Sequence, residues 1–368
     1  MRIERILLWP FRPGFTAGSY AMSHVVQTAL NGLRIGLCFD NGIAAFGECV
    51  APPTAEAHDV RAAYRELETM LAELPNRPVG ELEGLVSSLA AGDGIWCGIA
   101  FGLETALLDA RARTQGVALH ALLGERRAEV VPDYLSVSAA TAAGVAERIV
   151  DKGGNRSVIQ LKVGVSGIQL DGELIQAARS ALRHDQTLLV DANGGWGFTT
   201  AVAMIEKFAG SRLVWEEPCR TFEQNCALIA QTGAPVMLDQ CVANPVHAEA
   251  AIRTGAAHSI TIKPAFLGGL LLARDIVASA ERAAMAVRID GPWCGRVATA
   301  AIAHLAVTVE PAKLLSGCDL SEPLNPEALA SAAGAGDLVR TRSGHIGPPS
   351  GDGLGLVPVI PTTRIQIG

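Results

Sequence analysis

From about residue 130 onward, short apolar runs alternate with alanine-rich helical patterns, and this rhythm restricts the fold more than any other feature of the chain. Apolar runs without polar alternation are typical of strands that are buried on both faces, as in a parallel sheet covered by helices. We predict eight such strands, at residues 132–137, 157–163, 187–191, 212–216, 235–239, 258–263, 286–290 and 313–317. Helices are predicted between them, at residues 171–183, 199–209, 222–231, 245–254, 269–284 and 296–308.

Eight strand-helix units within residues 126–320 fit a closed (β/α)8 barrel of the TIM type, an α/β fold, better than an open sheet. An open doubly wound sheet is the structural alternative. The first predicted strand is not followed by a GxGxxG sequence, which counts against the dinucleotide-binding form of an open sheet. The sequence therefore predicts a barrel.

Residues 1–125 follow a different pattern, with strand-like segments first and helices after them. Residues 1–8 and 33–39 are strand-like, and Asp40-Asn41-Gly42 is the strongest short hairpin signal in the chain. Residues 56–74 and 99–113 place apolar side chains at intervals of three and four, so each predicts a helix with one buried face. This part of the chain is predicted to be an α+β unit.

Composition excludes several classes of protein. The chain has 368 residues, 49% of them hydrophobic, and a formal net charge of −7, with no basic cluster that could neutralise a row of phosphates. It contains no run of about 18 apolar residues and no signal-peptide pattern at its start. The eight cysteines are scattered singly, which is typical of free thiols in a reducing compartment. We expect a cytoplasmic protein with neither a nucleic-acid nor a membrane partner.

Ionisable residues end five consecutive predicted strands, at spacings of 23 to 29 residues. They are Lys162, Asp191, Glu216, Asp239 and Lys263. The carboxyl ends of barrel strands face one mouth, where barrel enzymes place their chemistry. Three carboxylates brought together there would repel one another unless a cation lay between them, and oxygen ligands without His or Cys favour Mg²⁺ or Mn²⁺.

The two lysines lie one strand before and one strand after the acids, so they could approach a bound substrate from opposite sides. A lysine near a divalent cation and another ammonium is expected to have a depressed pKa, as a general base requires. Taken singly, any of these charged groups could be a helix cap or a solvated rim group, and for Glu217 that is the better interpretation. Five in the order Lys, Asp, Glu, Asp, Lys favour one site.

The segments LKVG, VDANGGW, WEEP, LDQ and IKPAFLGGL, in this order and spacing, resemble the enolase superfamily, specifically its muconate-lactonizing (muconate cycloisomerase) subgroup. The resemblance covers nearly the whole chain. It implies a capping domain over residues 1–125, completed by residues 321–368, and a catalytic barrel over residues 126–320. It also implies that members are commonly dimers or octamers.

Carried onto this sequence, the resemblance makes Asp191, Glu216 and Asp239 the ligands of Mg²⁺, and Lys162 and Lys263 the acid/base pair. The metal then binds the carboxylate of a small-molecule substrate and stabilises the enediolate that forms when the α-proton is removed. The remaining expected contacts, either behind the ligands or with substrate, are Asn193, Gln240, Gln160, Tyr20, Asp290, Trp293 and Asp319.

The chain departs from its relatives at three of these positions. Many relatives carry Lys where this chain has Gln160, so one cation that would lower the pKa of Lys162 is absent. Relatives often have Glu where Gln240 stands, and an acidic pair before the Trp where only Asp290 remains. The chain shows no strand-seven histidine paired with a strand-six aspartate, so chemistry of the mandelate-racemase His/Asp type is not expected.

Two lysines permit several reactions. We favour racemisation or epimerisation of an amino-acid derivative, a cyclic amino acid or a betaine, because Tyr20 and Trp293 could form aromatic walls for a cationic or apolar side chain. The alternatives are cycloisomerisation of the muconate type and β-elimination of the dehydratase or o-succinylbenzoate synthase type. A more remote alternative is a barrel that binds a carboxylate without catalysis. The fold does not decide between them.

Overall fold

The computed structural model describes residues 1–22, 25–92, 94–165, 167–209, 212–242, 244–255, 257–317, 319–327, 329 and 336–357. The rest of the predicted C-terminal segment 321–368 lies outside the described residues. Within the described part, no helix is both long enough and apolar enough to cross a membrane.

The N-terminal part combines antiparallel strands with three helices. Its strands are β1 (Ile3–Phe11), β2 (Tyr20–Met22), β3 (Val25–Gln27), β4 (Gly32–Phe39) and β5 (Ala44–Val50), and its helices are α1 (Ala57–Leu71), α2 (Val79–Ala90) and α3 (Ile95–Gln115). The strands form a three-stranded antiparallel sheet, in the order β1-β4-β5, and a separate two-stranded pair, β2-β3. The predicted turn joins β4 to β5, with Gly42 in the left-handed conformation that glycine tolerates. Helix α2 was not predicted from the sequence.

Helix α3 packs unusually close to strand β5, and three glycines make this possible. A Cβ atom on Gly47 would collide with the carbonyl oxygen of Gly102, and one on Gly98 would collide with the carbonyl oxygen of Val50. Apolar side chains of the sheet and of all three helices form a core separate from that of the barrel. The N-terminal unit therefore has its own hydrophobic support.

The second part is the predicted barrel. Its parallel strands are β7 (Tyr134–Val137), β8 (Val158–Lys162), β9 (Thr187–Asp191), β10 (Leu213–Glu216), β11 (Val236–Leu238), β12 (Ser259–Ile262), β13 (Ala286–Ile289) and β14 (Leu314–Ser316). Each strand pairs with the next along the chain, giving one eight-stranded sheet. The prediction of a (β/α)8 barrel with an N-terminal α+β unit is confirmed.

Helices connect these strands. They are α4 (Ala142–Lys152), α5 (Ile168–Ala181), α6 (Phe198–Lys207), α7 (Phe222–Thr232), α8 (Pro245–Thr254), α9 (Pro264–Leu267), α10 (Leu270–Arg282) and α11 (Arg296–Ala306). Helix α4, between the first two barrel strands, was not marked from the sequence. The strands and the inner faces of the helices form one continuous apolar core.

The last described residues pack against both parts. Strands β15 (Val339–Arg340) and β16 (His345–Gly347) pair with β6 (Val131–Pro132) at the start of the barrel. The amide of Asn325 donates to the carbonyl of Gly14 (2.9 Å), and Arg113 of α3 donates to the carbonyl of Leu356 (2.8 Å). These contacts support a C-terminal segment that completes the cap, and the two domain boundaries, after residues 125 and 320, stay predictions.

Candidate active site

The predicted acids meet at the carboxyl ends of the barrel strands because neighbouring strands are in register. Lys162 lies beside Asp191, and Asp191 beside Glu216, as paired residues of β8, β9 and β10. Asp239 and Lys263 directly follow β11 and β12. All three acids are buried, at 0%, 0% and 3% exposed in chain order. A cavity of about 210 Å³ opens above them.

Each predicted lysine is paired with one of the acids. Lys162 donates through Nζ to Asp191, and Lys263 Nζ lies 2.6 Å from Asp239 Oδ1 and 2.8 Å from Oδ2. Burial lowers the pKa of both lysines, but the neighbouring carboxylates outweigh it, so each pKa lies above its ordinary value. This is opposite to the expected depression. The expectation assumed that a divalent cation binds the acids. Among the protein groups alone, each lysine lies against a carboxylate, which raises the pKa of that lysine.

Glu216 is held by two groups, one of which the sequence analysis missed. Arg288 of β13 donates to both of its carboxylate oxygens, and Gln160 Nε2 donates to Oε2 at 2.7 Å. Arg288 also lies 2.9 Å from Asp290 Oδ2 and over the ring of Tyr134. Burial raises the pKa of Glu216 to about 7; Arg288 acts against this shift, whereas Asp191 and Asp239 add to it.

Asn193 supports Asp191 from the adjoining turn. Its backbone adopts the left-handed conformation (φ 46°), which Asn tolerates better than most residues. In this position its amide N–H donates to Asp191 Oδ1 (2.8 Å) and its side chain donates to Oδ2 (3.2 Å). Its side-chain oxygen accepts from Lys162 (3.3 Å). Asn193 therefore orients one acid and one lysine together.

Glu217 has a supporting place beside the acids. Its carboxylate accepts hydrogen bonds from the backbone N–H groups of Asp239 (2.7 Å) and Cys241 (2.9 Å). Burial, followed by the charge of Asp239, raises the pKa of Glu217 to about 8. It is buried, not solvated, and it anchors the end of β11 instead of facing the cavity.

The cavity also brings together most of the predicted substrate contacts. Those among its lining residues are Tyr20, Gln160, Asn193, Gln240, Asp290 and Trp293. Tyr20 and Trp293 meet edge to face at 5.1 Å between ring centroids. Asp319 is not among the described lining residues, because its carboxylate is bound by Arg340 and Ser321.

Sequence reasoning missed several lining residues, namely Pro52, Pro53, Thr54, Tyr134, Phe266 and Arg288. Residues 52–54 lie on the loop between β5 and α1 of the N-terminal unit. Arg288 carried a signal that could have been used: it is a charged residue inside an apolar run, two positions before Asp290. A buried strand charge of this kind requires a partner.

The donor set suits a hard divalent cation in type and in charge. Three buried carboxylates come from consecutive strands, and their mutual repulsion contributes to the raised pKa of Glu216. As the side chains are oriented, no group of three His, Cys, Asp or Glu residues within the described ranges is placed to hold a metal. Each acid faces a lysine or arginine of the protein instead.

Comparison with known sequences places this geometry in a family. Residues 141–359 match the family described as Enolase C-terminal domain-like. The chain is 26% identical to cis-3-hydroxy-L-proline dehydratase of Roseibium aggregatum, over 87% of this chain and 86% of that protein. It is 27% identical to D-Ala-D/L-Ala epimerase of Cytophaga hutchinsonii, over 91% and 90% respectively. Racemases and cycloisomerases are also among its relatives.

Comparison with solved structures agrees on the fold. A member of the enolase superfamily from Roseovarius nubinhibens, complexed with magnesium, is similar with a TM-score of 0.84 and 24% identity. The similarity covers 97% of this chain and 96% of that chain, so it includes the N-terminal unit as well as the barrel.

Proposed function

Because the chain belongs to the enolase superfamily, in the group of mandelate racemases and muconate lactonizing enzymes, we propose that it transfers protons at the α-carbon of a carboxylate substrate. The reaction we favour is racemisation or epimerisation of an amino-acid derivative, a cyclic amino acid or a betaine. One lysine removes the α-proton, and the other returns a proton to the opposite face.

One observation carries this proposal: Lys162 and Lys263 line the same cavity from distant positions on the rim. Lys162 is the last residue of β8, and Lys263 directly follows β12. These two strands are four positions apart in the order of eight strands. Two ammonium groups separated in this way can reach a substrate from two sides. A single base would serve elimination, whereas inversion at carbon requires a donor on the face opposite the base.

We propose that Asp191, Glu216 and Asp239 hold Mg²⁺, with Mn²⁺ as a substitute. When bound, the ion would polarise the substrate carboxylate and stabilise the negative charge that develops on it as the α-proton leaves. The magnesium in the related protein from Roseovarius nubinhibens supports this assignment. The protein's own part is to position the two lysines and to bury the three acids away from water.

The wall of the cavity favours an amino-acid substrate. The rings of Tyr20 and Trp293 form an aromatic corner of the cavity that Asp290 also lines, and such a corner suits a cationic nitrogen. The similarity to D-Ala-D/L-Ala epimerase supports the same choice. β-Elimination is the second candidate, because a dehydratase of a hydroxyproline is among the relatives.

Proton exchange separates these reactions. Both enantiomers of α-amino acids, hydroxyprolines, betaines and dipeptides are incubated with the protein and Mg²⁺ in D₂O, and the α-proton signal is followed by NMR. An epimerase replaces the α-proton with deuterium and yields the other isomer, whereas a dehydratase yields an unsaturated product. If chelation of the metal leaves turnover unchanged, the three acids are not metal ligands in catalysis.

The lysine variants test the two-base mechanism. Lys162→Ala and Lys263→Ala should each abolish inversion, and each should retain exchange from only one enantiomer, because one base remains on one face. Lys152→Ala is the matched control, since Lys152 is exposed on α4 and pairs with Asp151. Exchange by both catalytic variants at the parent rate would show that the two-base mechanism is wrong. We also expect a homodimer or homo-octamer, which light scattering can measure.

A further inference from the structure

A chain of hydrogen bonds crosses from the N-terminal unit to the buried acids. Tyr20 on β2 bonds through its hydroxyl to Ser136 Oγ on β7 (2.8 Å), and Ser136 Oγ donates to Gln160 Oε1 (3.0 Å). Gln160 Nε2 then donates to Asp191 Oδ2 (3.1 Å) and Glu216 Oε2 (2.7 Å). The path links the cap to two proposed metal ligands through side chains alone.

The direction of every bond in this chain follows from the groups present. Asp191 accepts from Lys162, and both oxygens of Glu216 accept from Arg288, so Gln160 must turn its NH₂ toward these acceptors and its oxygen toward Ser136. That oxygen can only accept, so the single hydroxyl proton of Ser136 is used on it. Ser136 must therefore accept from Tyr20, which makes the phenol the first donor of the path.

A reversed Gln160 amide would be costly. Its side chain is buried, with only 2% of the residue exposed, and reversal would direct the amide oxygen at both carboxylates. Buried polar groups without a suitable partner cost free energy, and facing acceptors add repulsion. The two carboxylates therefore fix the orientation of the Gln160 amide, and the hydroxyls of Ser136 and Tyr20 hold its other end in place. Tyr20 itself is placed by ring contacts with Phe15 and Trp293.

We propose that Tyr20, Ser136 and Gln160 form a positioning relay by which strand β2 of the N-terminal unit restrains the carboxylates of Asp191 and Glu216, two of the proposed metal ligands. Ser136 and Tyr20 are positioning residues that act through Gln160. The relay deepens the proposed function, and its effect on metal affinity depends on that function being correct. Whether the three side chains act as a coupled unit does not depend on that function, so the relay and the proposed function can be tested separately.

The first experiment uses neither metal nor substrate. Chemical unfolding is measured for Tyr20→Phe, for Gln160→Ala and for the double variant. Tyr20 and Gln160 share Ser136 as a hydrogen-bond partner, so their effects should not add. We expect the unfolding constant of the double variant to differ from the product of the single effects by at least about twofold. If the unfolding constant of the double variant equals the product of the two single effects, the relay is wrong.

The second experiment measures Mn²⁺ affinity by electron paramagnetic resonance. Ser136→Ala and Tyr20→Phe should each weaken Mn²⁺ binding by up to about tenfold, the lower end of the effect of partners that orient metal ligands, because both act through Gln160. Ser136→Thr retains the hydroxyl and should restore the parent affinity. Ser316→Ala is the matched control, because Ser316 is a buried barrel-strand serine whose hydroxyl has no hydrogen-bond partner among the described residues.

The outcomes separate the two ideas. If the parent does not bind Mn²⁺, the proposed metal site is wrong, while the unfolding cycle still decides whether the relay exists. If the parent binds Mn²⁺ and Ser136→Ala binds it as tightly as Ser316→Ala does, the positioning role of the relay is wrong. Circular dichroism and the thermal midpoint of each variant verify that it is folded.

Discussion

Arg288 should be one of the most costly side chains to remove from this protein. Its guanidinium is 1% exposed and binds both oxygens of Glu216, together with Asp290 at 2.9 Å. Arg288→Met would leave two buried carboxylates without this partner. Breaking a buried ion pair by removing one member typically costs about 3–5 kcal/mol, and the loss of two partners at once favours the upper half of that range.

Two consequences of this cost can be measured. For a chain of 368 residues, an unfolding entropy of about 2.1 cal/mol/K per residue converts a loss of ~4 kcal/mol into a fall of roughly 5 °C in Tm. The cost should also depend on pH, because Glu216 already has a pKa raised to about 7, first by burial. Without Arg288 that pKa rises further, so protonation at pH 6 relieves part of the repulsion that persists at pH 8.

The assay is urea unfolding followed by tryptophan fluorescence, at pH 6 and pH 8, with Arg77→Met as the control. The side chain of Arg77 forms an exposed, 4.0 Å ion pair with Glu81, and pairs of that kind contribute about 0–1 kcal/mol. The reasoning is refuted if Arg288→Met loses no more stability than Arg77→Met. It is also refuted if the loss is larger at pH 6 than at pH 8.

Two further predictions concern other buried carboxylates. Burial raises the pKa of Asp133 to about 7 against the opposing effect of Arg156, so between about pH 4 and 7 the unfolded chain releases a proton that the folded chain keeps. The free energy of unfolding should therefore fall as pH rises through this window. Asp133→Asn should flatten that slope, and equal slopes for parent and variant in urea titrations would contradict the assignment. Glu104 of α3 accepts from the first N–H groups of α10, so Glu104→Ala should lose about 1–2 kcal/mol in the same assay and Glu104→Gln less; equal losses would argue against a capping role.

The barrel was predictable because burial on both faces produces a signal that needs no tertiary information. All eight predicted strands occur in the structure within two residues of their expected ends. Helix α2 was missed because its sequence, VGELEGLVSSLA, contains two glycines, which weaken a helical pattern read from the sequence alone. Its buried residues Leu82, Val86 and Leu89 become meaningful only against the rest of the N-terminal unit.

The residues of the site that end consecutive strands could be predicted from the sequence. The residues whose role depends on a hydrogen-bond or ion-pair partner far away in the chain could not. Five strand ends deliver one ionisable group each, so spacing alone brought them together. Arg288 escaped notice because its partner Glu216 lies three strands away. Asp319 was expected near the substrate because it closes strand eight, yet Arg340 of the C-terminal segment binds it. The sequence around Arg288 does not indicate Glu216 as its partner, and the sequence around Asp319 does not indicate Arg340.

The ion pairs of the site also affect how the lysine variants should be interpreted. Lys162 pairs with Asp191 and Lys263 with Asp239, so Lys→Ala removes both a proton carrier and the counter-charge of a proposed ligand. Loss of activity in such a variant could then come from a disturbed acid. Lys162→Arg and Lys263→Arg separate the two effects, because arginine keeps the positive charge beside the carboxylate but stays protonated at any ordinary pH. Loss of proton exchange from one enantiomer in each arginine variant, with Mn²⁺ affinity kept within about threefold of the parent, would assign the lysines to proton transfer. Exchange from both enantiomers that survives in both arginine variants would leave the lysines with only a charge-balancing role and would assign proton transfer to another group.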